Sequence, residues 1–590
     1  MPTLEKAQTP LQAAKNGFDF FKELQLEDGH WGCEYGGPMF LIPGLIIAMY
    51  ITETPIPEEW KIEITRYLAL NANPTDGGWG LHVEDKSTVF GTVGNYITLR
   101  ILGMDPDHPV AVKARATLHK LGGPLYAPLW AKFWLSCLNC YSWDGVNPIP
   151  PDIWLLPYWV PIHPGRWWLH CRNVFVGMGY FYGKRWSKEV NPFIESLREE
   201  IYPQPFASID FSKYRNTVSS ADLYRPHNKI LDTLNYILVL YDKYLRPKAI
   251  ADRAQKRVYE LIQCEDVNTD YLCIGPVNNV IHLMACWLEE GPESYAYQRH
   301  VERLADFMWM SNDGLRMNGT NGVQLWDTAF VIQAIHLCGF LDEPKYHDTI
   351  EKALSFMDIS QIREDCENMD RCYRDKRKGA WPFSTRHQGY TVSDCASEGL
   401  KAVLLIQSSP KFEKKISLER LRDSVDVLLS MQNSSGGYSS YESIRASPLL
   451  EYINPAEVFD KIMVEYDYPE CTTSVVTALS YFRKYDPDYK KAEIQEAIDR
   501  AVGYIEDSQR PDGSWYGSWG VCFTYAGWFA TESLATLGFN YRNNETQKRA
   551  CDFILSKQES DGGWGESYKV CICFFLYFIF SKLNQKKTVL

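Results

Sequence analysis

Apolar positions recur at i, i+3, i+4 and i+7 along most of the chain, and strict alternation is scarce. The pattern predicts helices almost throughout. Spacing predicts them over 109–120, 224–244, 247–262, 277–288, 323–341, 421–431, 494–508 and 545–557. Between helices a punctuation returns. Gln25, Gly29 and Trp31 set a Gln-x-x-x-Gly-x-Trp spacing that recurs at Gln509, Gly513, Trp515 and at Gln558, Gly562, Trp564. Asn73, Gly77, Trp79 and Gln432, Gly436, Tyr438 are variants, while Lys378-Gly379-Ala380-Trp381 keeps only the end. Repeats of this length suit helix pairs stacked in an array or closed into a barrel. The Gln amide is expected to satisfy backbone groups orphaned at helix ends, with the Trp packed between pairs. A domain change is expected near Ser311, where Asn312-Asp313-Gly314 precedes a fresh motif block. This gives domains 1–310 and 311–569 and a tail, 570–590.

Two stretches depart from helical period. Residues 122–186 combine Gly and Pro breaks with Trp130, Phe133, Trp134, Trp143, Trp154, Trp159, Trp167, Trp168 and Trp186. They read either as a loop-rich core or as an aromatic belt at a membrane face. Within them, Val174–Tyr182 before Lys184-Arg185 is the better candidate for dipping into a monolayer. The apolar run 570–580 is about half the ~20 residues of a spanning helix, so membrane contact would be one-faced.

Length and composition narrow the function. With 590 residues and 45% hydrophobic content there is material for two large cores. A net charge of −13, and a basic cluster 374–378 interrupted by an acid, argue against nucleic acid. The 16 cysteines read as reduced thiols, and no CxxC pairing with matching His or Cys indicates a metal site. Aromatics, at 14% with 19 Trp and 36 Tyr, are the outlier.

The chemistry centres on 389–405, Gly-Tyr-Thr-Val-Ser-Asp394-Cys395-Ala-Ser-Glu398 and the helical pattern after it. Ser393 or Asp394 reads as a helix N-cap. Against that, the approach Trp381-Pro382-Phe383 is aromatic, a thiol adjoins the carboxyl, and a second thiol, Cys471, also precedes a helical pattern. A carboxyl in an apolar pocket stays protonated near neutral pH and can act as a Brønsted acid. The helix N-terminus opposes this by favouring the anion.

The stretch resembles the Asp-Cys-Thr-Ala-Glu motif of the oxidosqualene cyclases of lanosterol synthase type, departing from it at Ala396 and Ser397. The repeat resembles the QW motif of triterpene cyclases. The resemblance covers 15–569 and implies an all-α fold of two α/α-barrel (toroid) domains, the second incomplete at its C-terminus. It implies an intramolecular transferase that cyclises (S)-2,3-oxidosqualene to lanosterol without cofactor or metal. Asp394 would be the proton donor, Cys395 and Cys471 its hydrogen-bond partners, and Glu398 would stand behind it. Trp326 in Trp-Asp-Thr-Ala-Phe would face an early cation together with Phe383. His170 in His-Cys-Arg, beside Trp168, would take the final proton together with Tyr441. Phe459, Trp519, Trp130 and Tyr35 match further cavity aromatics. Thr320, Gln388 and Val392 stand where the likeness implies lanosterol rather than cycloartenol. Cyclisation itself needs one acid and a dry aromatic cavity, each cation–π contact being worth ~0.5–2 kcal/mol.

Squalene–hopene cyclases open the motif with paired aspartates, whereas Ser393 precedes Asp394. Because 570–590 do not match, an inactive truncated isoform or fragment is the alternative reading. The resemblance implies monotopic association with endoplasmic reticulum membrane and lipid droplets, and admits other sterol-pathway enzymes as partners.

Overall fold

The predicted helices form, and what distinguishes them is depth. The computed structural model describes residues 6–519 and 522–566; the expectations for the 570–580 run and the tail lie outside these. Two contact units interleave along the chain. One comprises the start of the chain to Cys33, then Val323–Ile444 and the chain from Glu465 onward; the other comprises Glu34–Gly322 and Arg445–Val464. The expected cut at 310/311 falls instead inside an antiparallel hairpin, Met308–Ser311 paired with Gly314–Met317. Its turn is Asn312-Asp313, the pair that had suggested the boundary.

In the first unit, inner helices Gln324–Leu337, Ser393–Gln407, Pro469–Tyr485 and Cys522–Thr536 pack in succession, each backed by an outer helix: His347–Ser360, Leu418–Ser430, Lys491–Ser508 and Glu545–Ser556. This is α/α-barrel layering. Ser393–Gln407 is buried at every residue, so its polar side chains need internal partners. Ser393 Oγ donates to the Ser439 carbonyl, Ser397 Oγ to the Ser393 carbonyl, and the Gln407 amide spans both backbone groups of Ile416. In the second unit, Leu41–Thr52 packs on Val89–Ile101 and Pro276–Glu290, and the latter packs on Leu169–Lys184.

Helix ends differ from expectation where local chemistry intervenes. The helix expected from 224 begins at Lys229. The Tyr224 and Arg225 N–H groups bond the Glu457 carbonyl, and Asn228 caps Ile230 and Leu231. The helix expected to stop at 262 continues to Asn268, and the one expected to reach 341 ends at Leu337, with Gly339 at φ 74.

The repeat works with its roles exchanged. The indole N–H groups of Trp31, Trp79, Trp381, Trp515 and Trp564 donate to the carbonyls of Phe21, Leu68, Met357, Ile505 and Ile554, each in the last turn of a helix earlier in the chain. These are the orphan acceptors of helix ends. The Gln amide instead joins its own turn to an outer helix: Gln25 to Gly29 and Thr349, Gln432 to Gly436 and Ala497, Gln509 to Gly513 and Thr546. Trp381, without a local Gln, is served by Gln361, which bonds Gly379 and Arg420 across an insertion. The glycine is obligatory. Gly513 has φ +90, and a Cβ there would stand 2.4 Å from the Arg549 carbonyl oxygen.

Among the described residues no helix is long and apolar enough to cross a membrane. The Val174–Tyr182 run is buried inside Leu169–Lys184. It cannot dip into a monolayer, because its aromatics face their own core.

Candidate functional site

Asp394 is the second residue of its helix, not the cap. Val392 occupies the cap position without a side-chain bond, and the Ser393 hydroxyl is committed to Ser439. The capping role is therefore vacant, and the carboxyl turns into the unit. It is 8% exposed, which leaves access while removing most hydration. Its Oδ1 accepts the Cys395 N–H at 2.8 Å. Burial raises its pKa; the Cys395 N–H and thiol and the Cys471 thiol, all within hydrogen-bonding range, pull it partly back. Burial wins, as an acid requires. Both thiols are themselves held protonated by burial, so they can donate to the carboxylate left after proton transfer.

The Cys471 thiol lies 3.4 Å from Ser440 Oγ, which accepts the Trp519 indole N–H at 3.0 Å. The Ser440 carbonyl accepts the Ser393 N–H at 2.7 Å. Ser440 thus joins acid, thiol and ring, and nothing in its local sequence marks it. One turn beyond Asp394, Glu398 accepts from the Gln333 amide at 2.7 Å, and burial raises its pKa against the pull of Lys401, Gln333 and Ser474.

The sequence motifs do not single out Glu470. It adjoins Cys471, it is buried, and its Oε1 accepts the N–H groups of Ser518 at 2.6 Å and Trp519 at 2.8 Å. Its Oε2 has no hydrogen-bond partner among the described residues. Burial pushes its pKa up to about 7, and the charge of Asp394 adds to the rise. Its position between Pro469 and Cys471, at the start of a helix, was the available signal.

The aromatic rings differ in depth. Four of the repeat, Trp31, Trp79, Trp381 and Trp515, are sealed, while the fifth, Trp564, is exposed. Trp326, Phe383 and Trp519 in this unit, and Trp168 and Phe459 in the other, are only half-buried. They keep some exposure, and a cation-stabilising aromatic needs an accessible ring. Trp326 lies 6.1 Å from Phe383 and is stacked on Phe529 at 6.5 Å; Phe529 was not anticipated. Tyr441 lies 6.4 Å from Tyr390, edge to face, and its N–H bonds Glu465, whose pKa burial pushes up to about 8.

In the second unit, His170 lies 4.4 Å from the Trp168 ring, at the start of a helix entered through a Trp168 N–H bond to the Met463 carbonyl at 2.9 Å. Trp130 lies 5.1 Å from Phe459, with Phe40, also unanticipated, 5.8 Å from Phe459. Tyr35 is 38% exposed, its ring beside the bare Cα of Gly319. Of the three positions tied to product, the Thr320 hydroxyl is committed to Gly322. Gln388 is fully buried, and its Oε1 accepts from the Phe383 and Ser384 N–H groups, fixing the turn that carries Phe383. Val392 is buried one residue before Ser393.

The sequence profile of the squalene-hopene cyclase N-terminal domain matches residues 14–313, and that of the squalene-hopene cyclase C-terminal domain matches 323–572. The lanosterol synthase of Pneumocystis carinii is 56% identical over 549 residues, 93% of this chain and 76% of that protein. Lanosterol synthase erg7A of Aspergillus fumigatus is 54% identical, covering 93% and 73%. The lanosterol synthase of Homo sapiens is 47% identical, covering 92% and 74%.

Proposed function

This chain belongs to the squalene-hopene cyclase family, alongside the lanosterol synthases, and from that membership we propose that it cyclises (S)-2,3-oxidosqualene to lanosterol with Asp394 as proton donor. The observation that carries the assignment is the buried Asp394 carboxyl, its pKa raised by desolvation, beside two thiols and one backbone donor. Protonating the epoxide oxygen opens the ring and starts the cation cascade. The negative charge left on Asp394 is received by groups already in place, so little reorganisation is needed at the moment of transfer. Half-buried rings of Trp326, Phe383 and Trp519, and of Trp168 and Phe459, stabilise successive cations without forming adducts. Tyr441 and His170 are the acceptors proposed for the last proton.

Gln388 supports the lanosterol outcome by fixing the Phe383 turn, and Val392 by its small volume next to the acid's helix. The test is Asp394→Asn in purified full chain given labelled oxidosqualene. Asn keeps the size and the Cys395 contact but has no acidic proton, so cyclisation should vanish while the melting temperature holds. Turnover near wild type would overturn the acid assignment.

One-faced membrane association belongs to the same proposal, since substrate and product are both apolar. It is supported by the helix Lys229–Leu240 and its extension, where Ile230, Tyr236, Ile237, Leu240 and Tyr244 recur at helical spacing and are all exposed. Such a face suits the acyl boundary of a membrane. Association with endoplasmic reticulum membrane and lipid droplets would then resist high salt and yield to detergent. An Ile237→Glu change should weaken it, and release of the native chain by salt alone would refute it.

A further inference from the structure

A second cluster of reactive side chains lies in the unit that does not carry Asp394, and cyclisation leaves it unused. It begins on Lys248–Asn268 with Asp266. Beyond that helix Asp270, Tyr271 and Cys273 adopt φ of 48, 63 and 57. A left-handed backbone at non-glycine residues costs of order 1 kcal/mol each and persists where surrounding contacts impose it. Thr269 Oγ1 accepts the Cys273 N–H at 2.9 Å and holds the turn. The turn places Cys273 Sγ 3.5 Å from Asp266 Oδ1 and 3.5 Å from His282 Nδ1, with His282 Nδ1 2.7 Å from the same oxygen. Cys286 Sγ at 3.6 Å and His300 Nε2 at 3.2 Å face the other carboxylate oxygen. His282 and Cys286 stand four residues apart on Pro276–Glu290, hence on one face. All five side chains are buried.

We propose that Asp266, His282 and Cys273 hold a structural divalent ion of the zinc class, with Cys286 as the nearest further donor. Imidazole, thiolate and carboxylate together select zinc over hard cations. Tetrahedral zinc, with bonds of ~2.0 Å to N and O and ~2.3 Å to S, has donor–donor edges of about 3.3–3.6 Å. Two of the three edges already match. The Asp266–His282 edge must open by about 0.6 Å when the ion replaces the proton between them. Charge favours the ion too. Among the described residues no lysine or arginine pairs with Asp266; its only ion-pair partners are His282 and His300. A buried carboxylate without a cation is costly, whereas one divalent ion, one carboxylate and one thiolate sum to zero. Binding releases the Cys273 thiol proton, and the proton of His282 moves to Nε2, an atom without a hydrogen-bond partner among the described residues. His300 then steadies the far oxygen of Asp266 from the second shell. The ion would tie together Lys248–Asn268, the turn after it and Pro276–Glu290. Sequence spacing hid the set, because its ligands follow no paired-cysteine pattern.

The test is metal content. The full chain, produced in zinc-supplemented medium without a histidine tag and dialysed, should carry about one zinc by plasma mass spectrometry. Cys273→Ser and His282→Gln should lower this to under about a tenth, while Asp394→Asn should keep it. Protein grown with cobalt should show a thiolate-to-cobalt charge-transfer band. If the variants fail to fold, the wild-type content and cobalt spectrum still decide. A metal-free wild-type chain under supplementation would overturn the proposal and leave a hydrogen-bonded hub. Content unaltered in Cys273→Ser would overturn it equally.

Discussion

Glu470→Gln isolates the second carboxyl of the acid's surroundings. Glutamine retains the oxygen that accepts from Ser518 and Trp519, so the loop carrying the Trp519 ring stays pinned. It removes only the ionisation. The folded-state pKa of Glu470 is about 7, against an ordinary 4.5, chiefly through burial. A raised carboxyl pKa means the folded state holds the proton more tightly than the unfolded chain. The resulting stability is fully present below about pH 4.5 and is lost as pH rises through about 7. The interval from 4.5 to about 7, at about 1.4 kcal/mol per pH unit, amounts to about 3 kcal/mol. The variant carries no such dependence at this position. Relative to wild type it should therefore gain about 3 kcal/mol between pH 4.5 and 8, or about 5 °C in melting temperature for a unit of this size. Scanning calorimetry of both proteins at matched scan rate, at half-unit pH steps, reads the difference. In an Asp394→Asn background the gain should shrink, since the charge of Asp394 contributes to the rise. A melting difference that stays constant across this range would refute the reasoning. By contrast, Glu470→Ala strands two backbone donors, at ~1–3 kcal/mol each, and should disturb the products formed around Trp519.

Cys471→Ala and Cys395→Ala should each slow cyclisation by about 10–100-fold, the loss of one charge-assisted hydrogen bond, far less than Asp394→Asn; single-turnover assays with labelled substrate would expose the reverse order. The rate of wild-type cyclisation should fall with rising pH as the raised Asp394 carboxyl loses its proton, and a rate that climbs through that limb would contradict the assignment. Gly513→Ala places a Cβ 2.4 Å from the Arg549 carbonyl oxygen at a φ of +90; it should destabilise by at least about 2 kcal/mol, measured by urea unfolding, and a neutral result would remove the steric account of the repeat. Val392→Ile adds a methylene at a buried site beside the acid's helix, which should cost about 1–3 kcal/mol and yield cycloartenol-like or parkeol-like by-products on mass spectrometry; an unchanged product profile would separate Val392 from product choice.

What the sequence determined by itself was periodic or contiguous. Helix spans such as Pro109–Lys120 and Glu545–Ser556 were legible because a 3.6-residue stripe and a capping residue are local properties. The repeat was legible because Gln, Gly and Trp lie within seven residues. Asp394 was legible because its unusual neighbours, Phe383, Cys395 and Glu398, are close in the chain. Tertiary structure decided everything that depends on what lies opposite. It took Asp394 out of the cap position and into a buried one, since burial raises a pKa that a helix start alone would lower. It gave Gln361 to Trp381 from twenty residues upstream, and it placed Glu470 under Trp519. It separated sealed tryptophans from half-buried ones, a distinction invisible in composition because both kinds are equally hydrophobic. It buried Val174–Tyr182 and turned the face of Lys229–Leu240 outward, since an apolar run says that a surface will be covered and not by what. Residues 6–33 pack on a helix that begins some three hundred residues later, through Trp31 to Thr328 and Cys33 to Asp327. Local pattern sets the conformation of each segment, but desolvation, charge pairing and access depend on distances between segments, and those distances exist only once the chain is folded.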